Sequence, residues 1–129
     1  MAQIKIYARR DHIDRNRDVL SRTIHGVMQE VMGLPADKRF HRFIALDPAD
    51  MLAPPDRSEA YTIIEISMFE GRTPETRRRL LQALMDSLAR AVPMPVEDIE
   101  ITIFETPRAN WGIRGKTGDA LALSYEVET

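Results

Sequence analysis

The sequence contains no cysteine, which excludes disulfide bonds, thiolate catalysis and cysteine-ligated metal sites. It also lacks any apolar run near the roughly 20 residues that a membrane-spanning helix needs. Its first residues do not show the basic-then-apolar order of a secretory signal peptide. We therefore expect no membrane partner, and the lack of cysteine favours a cytoplasmic location.

Neither sign of charge dominates, because 18 Lys and Arg residues face 20 Asp and Glu residues and leave a net charge of −2. This balance argues against non-specific binding to nucleic acid, although local basic clusters exist. Arg77, Arg78 and Arg79 form one such cluster, which we interpret as a solvated helix face. At 129 residues the chain is expected to form a single domain.

The clearest structural signal lies between residues 62 and 91. Residues 62–69 are rich in β-branched side chains and predict a strand. Thr73 then suits a helix cap, and Pro74 suits the first turn, where no backbone donor is needed. The helix carries one apolar stripe, formed by Leu80, Leu81, Leu84, Met85 and Leu88. Alternating isoleucines follow at Ile99, Ile101 and Ile103, so the unit reads as β-α-β.

The N-terminal half repeats this pattern at an offset of 60 residues. Matching positions include Ile4 and Ile64, Leu20 and Leu80, Ile24 and Leu84, and Pro35 and Pro95. We predict strands at Gln3–Tyr7 and Arg39–Leu46, joined by a helix that Asp11 or Asp14 caps and that Gly33 ends. Mid-helix Gly26 predicts a close approach by a neighbouring element. One domain thus contains an internal repeat, 1–48 and 61–107, and a C-terminal extension, 108–129.

Two such units predict an α+β fold, with a four-stranded sheet, both helices on one face and short C-terminal strands. The other face is then uncovered and is expected to carry apolar side chains, so we expect the chain to associate. Trp111 in the C-terminal extension also needs a partner surface, such as another subunit. A ferredoxin-like nucleic-acid binder has the same order of elements, but this chain lacks the basic balance of that class.

Several short motifs add a resemblance to this pattern. They are Ile24-His25-Gly26-Val27-Met28, Gly33-Leu34-Pro35-Ala36-Asp37-Lys38-Arg39-Phe40, Gly71-Arg72-Thr73 and Glu105-Thr106-Pro107-Arg108-Ala109-Asn110-Trp111 with Arg114-Gly115. Their order and spacing resemble the tautomerase superfamily, in particular the branch of malonate semialdehyde decarboxylase. The resemblance covers nearly the whole chain. It implies a homotrimer of duplicated β-α-β units that needs no cofactor and takes a small carboxylate-bearing carbonyl compound.

The resemblance also implies a catalytic amine. The family uses an amino-terminal proline, exposed by removal of the initiator methionine, as a general base or acid. Here Ala2 stands in the place of that proline, so Ala2 is a catalytic candidate only if Met1 is removed. An α-amino group titrates near neutral pH and can exchange protons there. Lys38, a second candidate, stands where the branch has an aspartate, and a surface lysine is the alternative for it.

For substrate binding, the resemblance points first to Arg72, which matches the family arginine that binds the substrate carboxylate. A guanidinium fork beside a helix N-terminus suits a carboxylate. A solvated turn residue is the alternative for Arg72. Trp111 and Ile113 match the apolar wall at the mouth of the pocket.

Three more binding candidates, Arg9, Arg10 and His12, follow the first strand, and His12 has the repeat position of Arg72. Because strand-to-helix turns of a repeated unit are expected at one edge, we predict that Arg72, Arg9, Arg10 and Trp111 converge near residue 2 of the same or a neighbouring chain. A polar loop is the alternative for this trio. The three histidines of the sequence show no metal-ligand spacing, so we expect no metal site.

Two functions remain open at this point. The first is an enzyme that acts on a small carboxylate-bearing carbonyl compound by proton transfer or decarboxylation, with weak or altered activity because Ala2 replaces the proline. The alternative is a non-catalytic trimer of the same fold that binds a small anion or serves as a scaffold.

Overall fold

The computed structural model describes residues 2–127 and residue 129. In this part of the chain, four long strands and two helices form the body of the fold, and a short hairpin follows them. The elements are β1 (Ala2–Arg9), α1 (Arg10–Met32), β2 (His41–Leu46), β3 (Thr62–Phe69), α2 (Pro74–Ala91), β4 (Ile99–Thr106), β5 (Gly112–Ile113) and β6 (Lys116–Thr117).

The four long strands form one sheet in the order β2-β1-β3-β4. Each β-α-β unit supplies a parallel pair, β1 with β2 and β3 with β4, and the two units join through an antiparallel pairing of β1 with β3. Ala2 lies opposite Met68 and Ala8 lies opposite Thr62. We call the two ends of the sheet the Ala2 end and the Arg9 end. The predicted α+β fold is confirmed.

Both helices cover the same face of the sheet and form the core with it. Every second residue of β1 and β3 points to this face, as a pleated strand requires. The apolar stripes of α1 and α2 pack on these residues. The following side chains are at most 2% exposed: Ile4, Ile6, Ile64, Ile66, Leu20, Ile24, Met28, Leu80, Leu84 and Leu88. Each of them contributes about 1.5–3 kcal/mol of burial free energy, so the core holds the two units together.

The uncovered face of the sheet is mixed: it carries apolar side chains, as expected, together with polar ones. Glu65 lies near its centre, where it accepts a hydrogen bond from Tyr7 Oη at 2.7 Å and pairs with Lys5 Nζ at 3.8 Å. Phe104 of β4 is a large apolar side chain on this face, with 48% of its surface exposed, and strand alternation also places Ile63 of β3 there. The face therefore combines polar and apolar side chains.

Two helix ends agree with the sequence prediction. Gly33 takes the left-handed conformation at φ 71° after α1, and its N–H donates to Gln29 O at 3.1 Å. This backbone conformation favours glycine because it has no Cβ. At the start of α2, Thr73 Oγ1 accepts from the N–H of Thr76 at 3.1 Å, and Pro74 occupies the first turn. These contacts fix where the chain turns.

Other local predictions are wrong. The helix α1 begins at Arg10 with no side-chain cap, because β1 runs through Arg9 directly into it, so neither Asp11 nor Asp14 caps it. Gly26 is exposed, and a Cβ placed there would meet no atom within 4 Å. It therefore does not mark a close approach. The strand β2 starts at His41, two residues later than predicted.

Two histidines, His25 of α1 and His41 of β2, form a contact between the helix and the strand. The rings of His25 and His41 meet edge to face with centroids 6.1 Å apart, and Ser21 Oγ lies 2.8 Å from His41 Nδ1. Burial, with smaller effects from His25 and Arg39, lowers the pKa of His41 from 6.5 to about 4. The folded protein therefore keeps this imidazole neutral over a range where the unfolded chain protonates it.

This difference predicts a pH dependence of stability. Between pH 6.5 and about 4 the unfolded state binds a proton that the native His41 does not, so the free energy of unfolding falls as pH falls through this window. The loss should be about 1–2 kcal/mol, reduced for the partial exposure of the ring. Urea unfolding of the wild type and of His41→Asn, at pH 7 and pH 4.5, measures it. An equal loss in both proteins would contradict the assignment.

Candidate functional site

The antiparallel pairing of β1 and β3 brings three candidate residues to the Ala2 end. Ala2 begins β1 opposite Met68, and the chain leaves β3 at this same end on its way to Arg72. Here β2 also begins, because it runs parallel to β1, and Ile4 N donates to Phe40 O at 2.9 Å. The loop that carries Lys38 therefore reaches the same end of the sheet. Met1 lies outside the described residues.

Arg72 is buried at the N-terminus of α2, with 6% of its surface exposed. Its Nη1 donates to Met32 O at 3.2 Å and to Thr129 Oγ1 at 2.8 Å. Burial lowers the pKa of the guanidinium, and nearby Tyr125 opposes this shift. An arginine stays charged at neutral pH under such a shift. Arg72 is thus a buried, hydrogen-bonded cation and not a solvated turn residue.

Two hydroxyl groups stand beside this cation. The oxygen Thr129 O accepts from Thr76 Oγ1 at 2.8 Å and from Thr73 Oγ1 at 3.3 Å. We call Arg72, Thr73 and Thr76 the α2 cradle, because their donors converge on one neighbouring residue at a helix N-terminus, where the dipole favours negative charge. Sequence reasoning missed Thr76 as a site residue, and its place three residues after the cap was the available signal.

A cleft of about 600 Å³ opens beside the cradle, between the ends of β3 and β4. Its charged lining is balanced, with Arg72, Arg77 and Arg108 against Glu70, Glu105 and Asp119. Arg77 is half-buried, and its Nη1 donates to Glu105 Oε1 at 2.9 Å and to Arg72 O at 2.6 Å. The interpretation of Arg77 as part of a solvated helix face is therefore wrong, because its side chain holds the strand exit in place.

The C-terminal extension packs against the same end through Phe69. The rings of Phe69 and Trp111 meet edge to face with centroids 5.1 Å apart, and Ile113 belongs to the same apolar cluster. Arg108 lies over the Phe69 ring at 5.4 Å, and its Nε donates to Gly118 O at 2.9 Å. Trp111 and Ile113 thus lie at the Ala2 end, where a single chain leaves both of them half-buried.

Arg9, Arg10 and His12 lie at the other end of the sheet. Ala8 lies six positions after Ala2 in β1, which is about 20 Å at the rise of an extended strand. Arg9 pairs with Glu59 at 3.8 Å, and Arg10 Nη2 donates to Ala45 O at 3.2 Å. Convergence within one chain is therefore wrong for Arg9 and Arg10, because β1 and β3 run antiparallel and their exits lie at opposite ends.

His12 differs from Arg72 in its surroundings as well as its position. It is 4% exposed, and its Nε2 has no hydrogen-bond partner among the described residues. Nδ1 lies 3.3 Å from Asn16 Nδ2. Burial and the charge of Arg15 lower the pKa of the ring, whereas Asp98 opposes them. The imidazole is therefore neutral at pH 7 and does not supply the positive charge that Arg72 supplies at the Ala2 end.

Among residues 2–127 and 129, no helix is both long enough and apolar enough to cross a membrane. No three His, Asp or Glu side chains of this part of the chain come together as a metal site would require.

The sequence family described as tautomerase enzyme matches residues 38–114, which is more than half of the chain. The chain belongs to the tautomerase family. One curated relative, the 2-hydroxymuconate tautomerase of Pseudomonas putida, is 32% identical over 57 residues, which are 44% of this chain and 90% of the relative. The resemblance that the motifs carried is thereby confirmed at the level of the family.

Solved structures agree with this membership. The FG41 malonate semialdehyde decarboxylase inhibited by 3-bromopropiolate has a TM-score of 0.81 and 28% identity, and the match covers 94% of this chain and 98% of that chain. A native fused 4-OT has a TM-score of 0.80 and 23% identity, with coverage of 92% and 98%. This second likeness supports the fold alone.

Gly118 offers a direct test of the packing at this end. A Cβ at Gly118 would lie 2.5 Å from Arg108 O and 3.0 Å from the Phe69 ring, so Gly118→Ala must displace the C-terminal extension. We expect a loss of about 1–3 kcal/mol and a red shift of Trp111 fluorescence. The protein has a single Trp, so the signal is specific. Gly112→Ala, with no atom within 4 Å, is the control, and an equal response of both variants would refute this packing.

Proposed function

We propose that this tautomerase-family protein binds a small carboxylate-bearing carbonyl compound at the Ala2 end and promotes proton transfer or decarboxylation on it. The α2 cradle is the observation that carries this proposal. Arg72 presents a charged fork there, and the hydroxyls of Thr73 and Thr76 already donate to an oxygen atom of the chain itself. A carboxylate would find the same donors, together with the positive end of the helix dipole.

The chemistry of the relatives indicates the compounds to test. The curated relatives are 2-hydroxymuconate tautomerases, and a structural neighbour is a malonate semialdehyde decarboxylase. Both 2-hydroxymuconate and malonate semialdehyde combine a carboxylate with an enol or carbonyl group. In our proposal the cradle holds the carboxylate, and this leaves the reacting carbon toward the start of β1.

The acid or base in this proposal is the amine of Ala2, provided that Met1 is removed. Ala2 is 5% exposed and begins the central strand, so its amine would be held firmly. A primary amine with an ordinary pKa near 7.7–8.0 exchanges protons at neutral pH. Lys38 is the second amine proposed for this end. Because Ala2 replaces a proline, we expect weak or altered turnover compared with relatives that have the proline.

The alternative is a non-catalytic trimer of the same fold that binds a small anion or serves as a scaffold. Two observations favour it. Ala2, and not a proline, stands at the position of the family's catalytic amine. Arg72 already donates hydrogen bonds to Met32 and Thr129. In this alternative the cradle still binds carboxylates, but no proton transfer follows. Anion binding without turnover would identify it.

Assembly forms part of the proposal. We infer a homotrimer, because Phe104 is 48% exposed and a single chain leaves Trp111 half-buried. Neighbouring fused 4-OT structures are described as trimers, and at 19% identity they support only a shared fold. Only a neighbouring chain could bring Arg9, Arg10 and His12 to an Ala2 end.

The internal repeat and the location are proposed on separate grounds. The match to the 2-hydroxymuconate tautomerase spans 57 residues, which are 90% of that relative. The relative is therefore about as long as one β-α-β unit, which supports a duplication of 1–48 and 61–107 within one domain. A cytoplasmic location is proposed because a chain without cysteine gains nothing from an oxidising compartment. No nucleic acid is proposed as a partner, given the net charge of −2.

Substitution of Arg72 tests the binding role. Arg72→Ala removes a charge-assisted donor, so carboxylate affinity and turnover of 2-hydroxymuconate or malonate semialdehyde should fall about 10- to 100-fold. Arg72→Lys should restore little, because an ammonium group lacks the planar fork. Arg78→Ala, an exposed site on the same helix with the same change in charge, is the control. Equal values for Arg72→Ala and Arg78→Ala would exclude the cradle as the binding site.

The assembly is tested by mass in solution. Sedimentation equilibrium at micromolar concentration should give about three times the 14.8 kDa of one chain. Phe104→Lys places a charge on the exposed margin of the sheet and should shift the distribution toward single chains, whereas Leu52→Lys at an 87% exposed loop position should not. A wild-type mass of one chain would rule out the trimer.

A further inference from the structure

A second cleft lies at the Arg9 end of the sheet, away from the α2 cradle. It has a volume of about 310 Å³ and opens between the first turns of α1 and the residues that precede β3. Its lining includes His12, Arg15, Asn16, Ser58, Glu59 and Ala60. We call it the His12 cleft. None of these residues belongs to the cradle or to the larger cleft beside the cradle.

The hydrogen bonds of Asn16 fix which nitrogen of the His12 ring carries the proton. Asn16 Nδ2 donates to His12 O at 2.9 Å, and a carbonyl oxygen can only accept, so this side-chain atom is the amide nitrogen. The same nitrogen lies 3.3 Å from His12 Nδ1, which therefore accepts. In a neutral ring the proton is then on Nε2. His12 thus has an N–H donor at Nε2.

This N–H donor is buried and has no acceptor. His12 is 4% exposed, and its Nε2 has no hydrogen-bond partner among the described residues. Buried donors are nearly always paired, because an unpaired one loses its hydrogen bonds to water without replacement. The buried carboxylate of Asp98 accepts from Ser58 instead, through Ser58 N at 2.9 Å and through Ser58 Oγ. An oxygen atom of a ligand in the cleft would supply the missing acceptor.

We propose that the His12 cleft binds a small monocarboxylate, one oxygen of which accepts a hydrogen bond from His12 Nε2 while Arg15 pairs with its charge. This site is additional to the α2 cradle and involves no proton transfer. It does not rest on the proposed function, because it uses none of the residues of the cradle.

The charges around the cleft favour a ligand with a single negative charge. Arg15 is exposed, and none of the ion pairs among the described residues involves it. Glu59, the acidic residue of the lining, pairs with Arg9 at 3.8 Å. The dipole of α1 adds to this preference for an anion, because the helix begins without a side-chain cap. Asp98 is close enough to oppose the lowering of the His12 pKa, so its charge would repel a doubly charged ion.

Nitrogen-15 NMR of the histidine rings tests the proposal on the full chain at pH 7, with acetate as the probe. We expect the free protein to show the His12 proton on Nε2. Acetate should shift this proton downfield in a saturable manner, because a hydrogen bond to a carboxylate is charge-assisted. The His12 signal is assigned by its loss in His12→Gln.

Replacement of Arg15 tests the second contact without disturbing the core, because Arg15 is exposed. Arg15→Ala should weaken acetate affinity about two- to fivefold, the range for an exposed charge pair. Arg78→Ala, which removes the same charge from an exposed position of α2, is the control and should match the wild type. Inorganic phosphate should move the His12 signal less than acetate does at the same concentration.

Several outcomes would overturn the proposal. They are a His12 proton on Nδ1, a His12 signal that does not move during the acetate titration, and equal affinities of Arg15→Ala and Arg78→Ala. A response to phosphate as large as the response to acetate would overturn the assignment of a monocarboxylate. Arg72→Ala should leave the His12 shift unchanged, and loss of that shift would show that the two sites are not separate. Failure of the cradle as a carboxylate site would leave the His12 cleft standing.

Discussion

The antiparallel contact between β1 and β3 is the constraint on which the rest of the molecule depends. Within each β-α-β unit the helix crossover makes the strands parallel, and this fixes both helices on one face. The two units join through an antiparallel pairing of their first strands, β1 and β3. The start of β1 therefore lies beside the end of β3. Ala2 and Arg72 are 70 positions apart in the chain, and this pairing alone brings them to the same end of the sheet.

In the cradle at that end, hydrogen bonds compensate for the burial of Arg72. Desolvation of Arg72 is unfavourable, and the oxygens of Met32 and Thr129 offset part of this cost. Arg77 then braces the strand exit through Arg72 O and Glu105. A guanidinium fixed in this way loses little entropy when it engages a ligand, because its rotamer is already restricted. The packing around Phe69 holds the C-terminal extension beside the cradle, and so it also restricts movement at this end of the sheet.

Sequence patterns predicted the elements well because each signal is local. The alternating isoleucines of β3, the leucine stripe of α2 and the caps at Gly33 and Thr73 depend on neighbours within a few residues. How the two units join depends on contacts between distant strands, so no local pattern contains it, and the expected convergence of both strand exits within a chain was wrong. The roles of Arg77 and Thr76 were missed for the same reason, since their partners lie 28 and 53 residues away.

The two β-α-β units have similar backbones, but the side chains at the two ends of the sheet differ in chemistry. His12 has the repeat position of Arg72, yet burial keeps the imidazole neutral, whereas a guanidinium stays charged when it is buried. The start of β3 follows Tyr61 in an unbroken chain, so no amine of the kind proposed for Ala2 arises at the Arg9 end. In the proposed function, the charge of Arg72 and an amine exposed by removal of Met1 therefore meet at the Ala2 end. The fold thus contains two similar β-α-β units, and the proposed chemistry uses the end of the sheet at which Arg72 lies.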